Sequence, residues 1–80
     1  MMDYMEQYRD EMHDVMDYAA AHAAETDPEA RRGLKMIARE EYTHARFLRK
    51  IMIRMGIYNP DAEPDLETMW HETESRVEEL

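Results

Sequence analysis

The chain of 80 residues contains no cysteine, which excludes disulfide bonds, thiolate metal ligands and a thiol nucleophile. No stretch approaches the ~20 apolar residues that span a bilayer, and the N-terminus lacks a basic region followed by an apolar run. Glycine and proline are scarce, with two and three copies, and there is no strand pattern or internal repeat. We therefore expect a small helical protein of the cytoplasm, with no membrane among its partners.

The formal net charge of −9 is concentrated near the C-terminus. Residues 57–80 carry eight acidic side chains and one basic side chain, whereas residues 1–56 are almost balanced. An acidic surface of this kind repels nucleic acid and anionic membranes, so we expect neither as a partner. The acidic segment has two interpretations, a solvated helix face or a surface that draws cations toward the protein.

The pattern of apolar residues and helix breakers predicts an all-α fold. Its three helices would cover about residues 3–25, 28–55 and 65–79 of a single domain, 1–80. The first two would form an antiparallel hairpin, roughly 34 and 42 Å long. Two helices cannot enclose a core, and so short a chain without disulfides is marginally stable alone. We therefore predict that two copies pair into a four-helix bundle.

Individual residues mark where these helices begin and end. Thr26, with Glu29 three residues later, predicts a capping box before the second helix, and Pro28 fits its first turn. Gly56 predicts the end of that helix. The third helix carries an apolar edge that would pack against the hairpin or against a neighbouring subunit. That edge consists of Leu66, Met69, Trp70, Thr73, Val77 and Leu80.

Two glutamates occupy positions where apolar residues belong. A rotation of about 100° per residue puts Glu11 and Glu41 in the middle of apolar stripes on their helices, whereas Glu40 points about 100° away from Glu41. His44 follows Glu41 by one turn. The first stripe contains Tyr4, Tyr8, Val15, Tyr18 and His22; the second contains Leu34, Ile37, Ala38, Ala45, Leu48, Met52 and Met55. Because a buried unpaired carboxylate costs several kcal/mol, these positions predict a bound cation between the helices.

Carboxylates and imidazole together suit iron, manganese and zinc. A recurring metal site in helix bundles uses one Glu from each of two helices and a Glu-x-x-His pair from each of the other two. This chain supplies half of that set in Glu11, Glu41 and His44. The spacing alone is weak evidence, because 12 Glu and 4 His give roughly 0.6 such pairs by chance. The placement on facing stripes carries the prediction, and the alternative is a pair of inward glutamates bonded to Arg or Tyr.

Weaker signals lie nearby on the first helix. Asp10 and His13 form a second carboxylate–histidine pair, which points away from Glu11 and would hold an auxiliary cation or face a subunit contact. Tyr18 lies two turns from Glu11 and can hydrogen-bond a ligand carboxylate, although core packing explains it nearly as well. His22 is better explained as a core or interface histidine than as a ligand.

The run Arg39-Glu40-Glu41-Tyr42-Thr43-His44-Ala45 resembles the second-helix iron motif of the ferritin-like superfamily, as found in rubrerythrins. A single hairpin followed by a short third helix is most similar to the encapsulated-ferritin-like group, whose subunits are half-bundles. The resemblance covers roughly residues 5–75.

This resemblance implies that Glu11, Glu41 and His44 bind a pair of iron ions at a dimer interface, with Tyr18 beside the ligands. Manganese, zinc and calcium are alternative ions. Acidic residues near the iron entry path of that group correspond to Asp10, His13 and Asp14, where His13 departs from the expected carboxylate.

The resemblance also implies an assembly and an activity. The assembly would be a homodimer arranged in a ring, such as a pentamer of dimers. It would lie inside an encapsulin nanocompartment or, because the cargo tail of that group is not visible after Leu80, outside one in the cytoplasm. The activity would be that of a ferroxidase for iron storage or detoxification. The alternatives are a di-iron protein that scavenges peroxide or oxygen, and a helical metal-binding assembly module without activity. The four-cysteine module of rubrerythrins is absent, which weakens a peroxidase interpretation.

Overall fold

The computed structural model describes all residues from 1 to 80 and consists of three α-helices without strands. They are α1 (Tyr4–Ala24), α2 (Pro28–Arg54) and α3 (Pro64–Glu78). α1 and α2 form a hairpin, and α3 packs against both, in a molecule of 43 × 24 × 15 Å. The predicted all-α fold is confirmed, with helix ends within one residue of the expected ones. None of the helices combines the length and the apolar character that crossing a membrane requires.

The start of α2 differs from the predicted capping box of Thr26 and Glu29. The N-cap is Asp27, whose side chain accepts a hydrogen bond of 2.9 Å from the backbone N–H of Ala30. The helix begins at Pro28, because proline has the helical φ angle and lacks only an N–H that would be unpaired there. Asp27 directly precedes Pro28, so its carboxylate reaches the free N–H groups of the first turn.

The turn between α1 and α2 is held by one arginine. The Arg31 guanidinium donates hydrogen bonds of 2.8 Å each to the backbone carbonyls of His22 and Glu25. These carbonyls belong to the end of α1, where no further turn of helix can pair them. At its other end, α2 stops before Gly56, which has φ of 71° and therefore takes the left-handed conformation that favours glycine.

The apolar edge of α3 was predicted to pack against the hairpin or against a neighbouring subunit. In the structure it packs against the hairpin of its own chain. Leu66, Trp70, Thr73 and Val77 are the buried residues of this helix. Leu66 and Trp70 belong to a cluster at the open end of the hairpin that contains Tyr8, Met12, Ala45, Met52, Tyr58, Leu66 and Trp70. α3 thus supplies, within one chain, part of the core that the sequence analysis assigned to a second copy.

Charged and aromatic side chains hold α3 in place on one flank of the hairpin. Glu67 accepts hydrogen bonds from the Arg49 guanidinium at 2.9 Å and from the Tyr58 hydroxyl at 2.8 Å. The same guanidinium lies over the rings of Tyr58 and Trp70, at 5.0 and 5.1 Å from their centroids. On α2, Tyr42 stacks on Trp70 at 5.4 Å. We call this side of the hairpin the α3 flank.

The two glutamates predicted in the middle of the apolar stripes lie at the edge of the buried seam instead. The fully buried residues are Tyr8, Met12, Val15 and Ala19 on α1, and Ala38, Ala45 and Met52 on α2. Glu11 and Glu41 are only half-buried. Because α3 covers one flank, the buried stripe of each long helix is rotated toward α3, and the glutamates lie toward the uncovered side.

Candidate metal centre

Glu11, Glu41 and His44 come together at mid-length of the hairpin. Glu11 is in the middle of α1, and Glu41 and His44 are one turn apart in the middle of α2. One ligand atom from each residue, a carboxylate oxygen or an imidazole nitrogen, lies within 4.8 Å of the other two. It is the only group of three or more such residues in the chain that meets this distance. These are the three ligand residues predicted from the sequence, and the fold places them side by side.

The contact between His44 and Glu11 lacks a hydrogen bond. The Nδ1 atom of His44 lies 3.6 Å from Oε2 of Glu11, which is too long for one. Oε2 of Glu11 is buried and has no hydrogen-bond partner. The Glu11 side chain is 20% exposed, whereas that of His44 is 58% exposed and has room to rotate. A buried acceptor without a donor is costly, and a positively charged group beside this oxygen would offset that cost.

The surroundings of Glu11 favour its protonated form when no cation is bound. Burial of the carboxyl, followed by the effect of the neighbouring Glu41, raises the pKa of Glu11 to about 7. The His44 imidazole acts in the opposite direction, but more weakly. A carboxyl with this pKa gives up its proton readily near neutral pH to a cation that binds beside it.

The residues present fit a first-row divalent metal ion. Ligand oxygens and nitrogens lie ~2.1 Å from such an ion, so two of them bound to it are ~3 to 4 Å apart. The separations in the cluster are at most 4.8 Å, which is close to this spacing. Two carboxylates and one imidazole suit iron, manganese or zinc. Three donors leave positions open on the ion, for water or for donors from another chain.

The cluster opens into a cavity of about 380 Å³ on the side of the hairpin that α3 leaves uncovered. His44 projects about 160° around α2 from Tyr42, which contacts α3. The residues that line the cavity are Met2, Gln7, Glu11, Thr43, His44, Phe47 and Leu48, and we call this side of the hairpin the open flank. Phe47 is 66% exposed and Met2 is 54% exposed. Apolar side chains therefore surround the polar cluster and lie in water in the single chain.

Comparisons with protein-family models, curated proteins and solved structures find no match to this chain. The similarity to the encapsulated-ferritin-like group thus rests on the residues of the chain and stays a prediction.

The other predicted site residues lie outside the cluster. Tyr18 is half-buried and makes no hydrogen bond to a ligand residue. Asp10, His13 and Asp14 are exposed and belong to no group of three converging ligand atoms. Their roles beside the ligands and at an auxiliary site stay predictions. His22 is half-buried at the far end of α1, and its carbonyl accepts the Arg31 hydrogen bond.

Sequence reasoning missed several residues that surround the cluster. Gln7 precedes Glu11 by four residues, and Phe47 follows His44 by three. Both spacings correspond to one helical turn, so a search along the same helix faces would have found them. Gln7 lies about 40° around α1 from Glu11 but is polar, and Phe47 lies about 120° around α2 from Glu41, outside the apolar stripe.

Proposed function

We propose that this protein is a ferroxidase whose di-iron site forms between two copies of the chain. The observation that carries the proposal is the group of three ligand atoms within 4.8 Å, next to a buried Glu11 oxygen that has no partner. The proposed reaction oxidises Fe(II) to Fe(III) for iron storage or detoxification.

Two features of the open flank support pairing of two copies. The exposed Phe47 and Met2 beside the cluster would be covered if the open flanks of two hairpins packed together, which is favourable for apolar surface. A two-fold axis through the open flanks would add a second set of the same three ligands. The resulting four helices would carry the carboxylate and histidine set of di-iron bundles.

In this proposal the two carboxylates have a definite role toward the substrate iron. Glu11 and Glu41 bind Fe(II) and offset its charge, and they tolerate the higher charge of Fe(III) equally well. The Glu11 carboxyl releases its proton on binding. Two Fe(II) ions give up one electron each. O₂ takes the two electrons with two protons and becomes H₂O₂, or H₂O₂ takes them with two protons and becomes two water molecules.

The test is the rate of Fe(II) oxidation by the purified protein, together with its iron content and its mass in solution. We expect one iron per chain and a dimer or a multiple of it. Glu41→Ala should abolish oxidation. Glu40→Ala is the matched control, because the neighbouring carboxylate is exposed and points about 100° away from Glu41. Equal loss of oxidation in both variants, or no oxidation by the unmodified chain, would overturn the proposal.

The two alternatives give different results in the same assays. A protein that scavenges peroxide would consume peroxide faster than it turns over iron. A helical assembly module would oxidise no iron, and Glu41→Ala would leave its stability unchanged or raise it, because the substitution removes a half-buried carboxylate.

A further inference from the structure

Gln7 lies one turn before Glu11 on the same face of α1. The two residues are four positions apart, which brings their side chains together on the helix surface. Both line the cavity of about 380 Å³ on the open flank. Gln7 is half-buried, and its side-chain amide takes part in none of the hydrogen bonds within the chain. An unpaired donor group therefore lies one turn from a carboxylate with an unpaired, buried oxygen.

The other side chains that line this cavity offer Glu11 no free neutral donor. The Thr43 hydroxyl already donates a hydrogen bond of 2.9 Å to the backbone carbonyl of Arg39, one turn earlier on α2. His44 is itself a candidate ligand. The apolar lining residues, which cannot pair with a carboxylate, are Met2, Phe47 and Leu48. The Gln7 amide is therefore the group in this cavity that can pair with Glu11 without giving up another partner.

A neutral donor suits a carboxylate that binds a cation. Carboxylates that bind a metal ion are themselves usually hydrogen-bonded, which fixes their orientation. A lysine or arginine at position 7 would also donate, but its charge would repel the cation. A carboxylate there would add negative charge and would donate nothing in its ionised form. The amide of glutamine has two N–H donors and no charge, so it supports the ligand without opposing the ion.

We propose that Gln7 is a positioning residue, whose side-chain amide donates a hydrogen bond to Glu11 when Glu11 binds a divalent ion. Glu11 then uses one oxygen for the ion and the other for Gln7. Because Glu11 supplies one ligand atom instead of two, a position on the ion stays open for water or O₂. This role rests on the proposed function, since it requires an ion bound by Glu11.

The first test observes the Gln7 amide directly, with an internal control. Gln7 is the only glutamine of the chain and Asn59 is the only asparagine, so the proton–nitrogen NMR spectrum contains just these two side-chain amides. Asn59 is exposed in the turn between α2 and α3. Zn(II) suits the same ligands and is diamagnetic, so it does not broaden the signals. On saturation with Zn(II), we expect the Gln7 amide signals to move and to exchange more slowly with water. The Asn59 signals should stay unchanged.

The second test removes the amide and measures metal affinity. Gln7→Leu should raise the dissociation constant for Zn(II), measured by competition with a chromophoric chelator, about 10- to 100-fold. Its urea midpoint without metal should be unchanged or higher, because the amide has no partner to lose in the metal-free chain. Thr43→Val is the matched control, since it alters a polar side chain of the same cavity whose hydroxyl is bonded on its own helix. This variant should bind Zn(II) as tightly as the unmodified chain.

Several results would contradict the role of Gln7. An unchanged dissociation constant in Gln7→Leu, or an equal increase in Thr43→Val, would overturn it. A different visible absorption spectrum of bound Co(II) in Gln7→Leu would show that Gln7 is itself a ligand, which would also overturn it. Zn(II) binding with unchanged Gln7 amide signals would overturn the role of Gln7 and leave the proposed function standing. An unmodified chain that binds neither Zn(II), Co(II) nor Fe(II) would overturn both.

Discussion

The two flanks of the hairpin differ in how their carboxylates are paired. On the α3 flank, Glu67 accepts hydrogen bonds from Arg49 and Tyr58, and the Tyr58 hydrogen bond is the main cause that lowers the pKa of the Glu67 carboxyl. On the open flank, Glu11 has a buried oxygen without a partner and a pKa raised to about 7. In the first arrangement the donors to the carboxylate belong to the same chain, although Nε of Arg49 is buried there without a hydrogen bond. In the second a carboxylate oxygen is left unpaired, and in the proposed function a bound cation pairs it.

The largest loss of stability is expected when Trp70, which packs α3 against the hairpin, is replaced. Trp70→Ala removes an indole that contacts Tyr8 and Tyr42 and lies beneath Arg49. The lost burial and the cavity should cost about 3 to 5 kcal/mol, enough to leave so small a protein largely unfolded. Urea unfolding followed by circular dichroism measures it. A change below about 1 kcal/mol would mean that α3 contributes little to the hairpin.

On the open flank, a divalent cation should act as the missing partner. At a free concentration of about 100 times its dissociation constant, Fe(II) or Mn(II) should stabilise the protein by about 2.7 kcal/mol, because it binds the folded state only. Thermal unfolding at pH 7.5, with and without the ion, measures the shift. Glu41→Ala should abolish the shift and Glu40→Ala should retain it, whereas a shift that survives Glu41→Ala would place the cation elsewhere.

Loss of the completed ion pair should have a smaller effect. Glu67→Leu leaves the half-buried Arg49 and the Tyr58 hydroxyl without their acceptor, and we expect a loss of about 2 kcal/mol at pH 7. Because the folded-state pKa of Glu67 is lowered, its contribution is present above about pH 4.5 and is lost as the pH falls further. The difference in unfolding free energy between the two chains should therefore shrink toward acid pH. A constant difference would contradict the lowered pKa.

The effect expected for Glu11 has the opposite sign. Its folded-state pKa is raised from 4.5 to about 7, so the metal-free protein should lose stability as the pH rises through this interval. Glu11→Gln keeps the shape and cannot ionise, and it should remove this pH dependence and stabilise the metal-free chain by roughly 3 kcal/mol above pH 7. Unfolding in a chelator at pH 4.5 and 7.5 tests it. Identical pH profiles for both chains would show that Glu11 titrates normally.

Local pattern was sufficient for much of the fold. Helix ends and the apolar edge of α3 follow from spacing along single helices. The proximity of Glu11 to Glu41 and His44 also needs the antiparallel hairpin, which brings the middles of the two long helices together. The N-cap of α2 was predicted wrongly because both Thr26 and Asp27 are good capping residues, and the position of Pro28 decides between them. The preference of proline for the first position of a helix therefore identifies Asp27 as the N-cap.

The sequence alone determined the three helices, their apolar faces and a set of possible metal ligands. Helical periodicity depends only on neighbours within a few turns. The choice of flank was decided by tertiary packing. α3 settled on one side of the hairpin, where Trp70 and Arg49 meet, and so left Glu11 at the edge of the seam with an unpartnered oxygen. No local pattern specifies which of two neighbouring faces a third helix will cover, since that depends on how side chains from all three helices fit together.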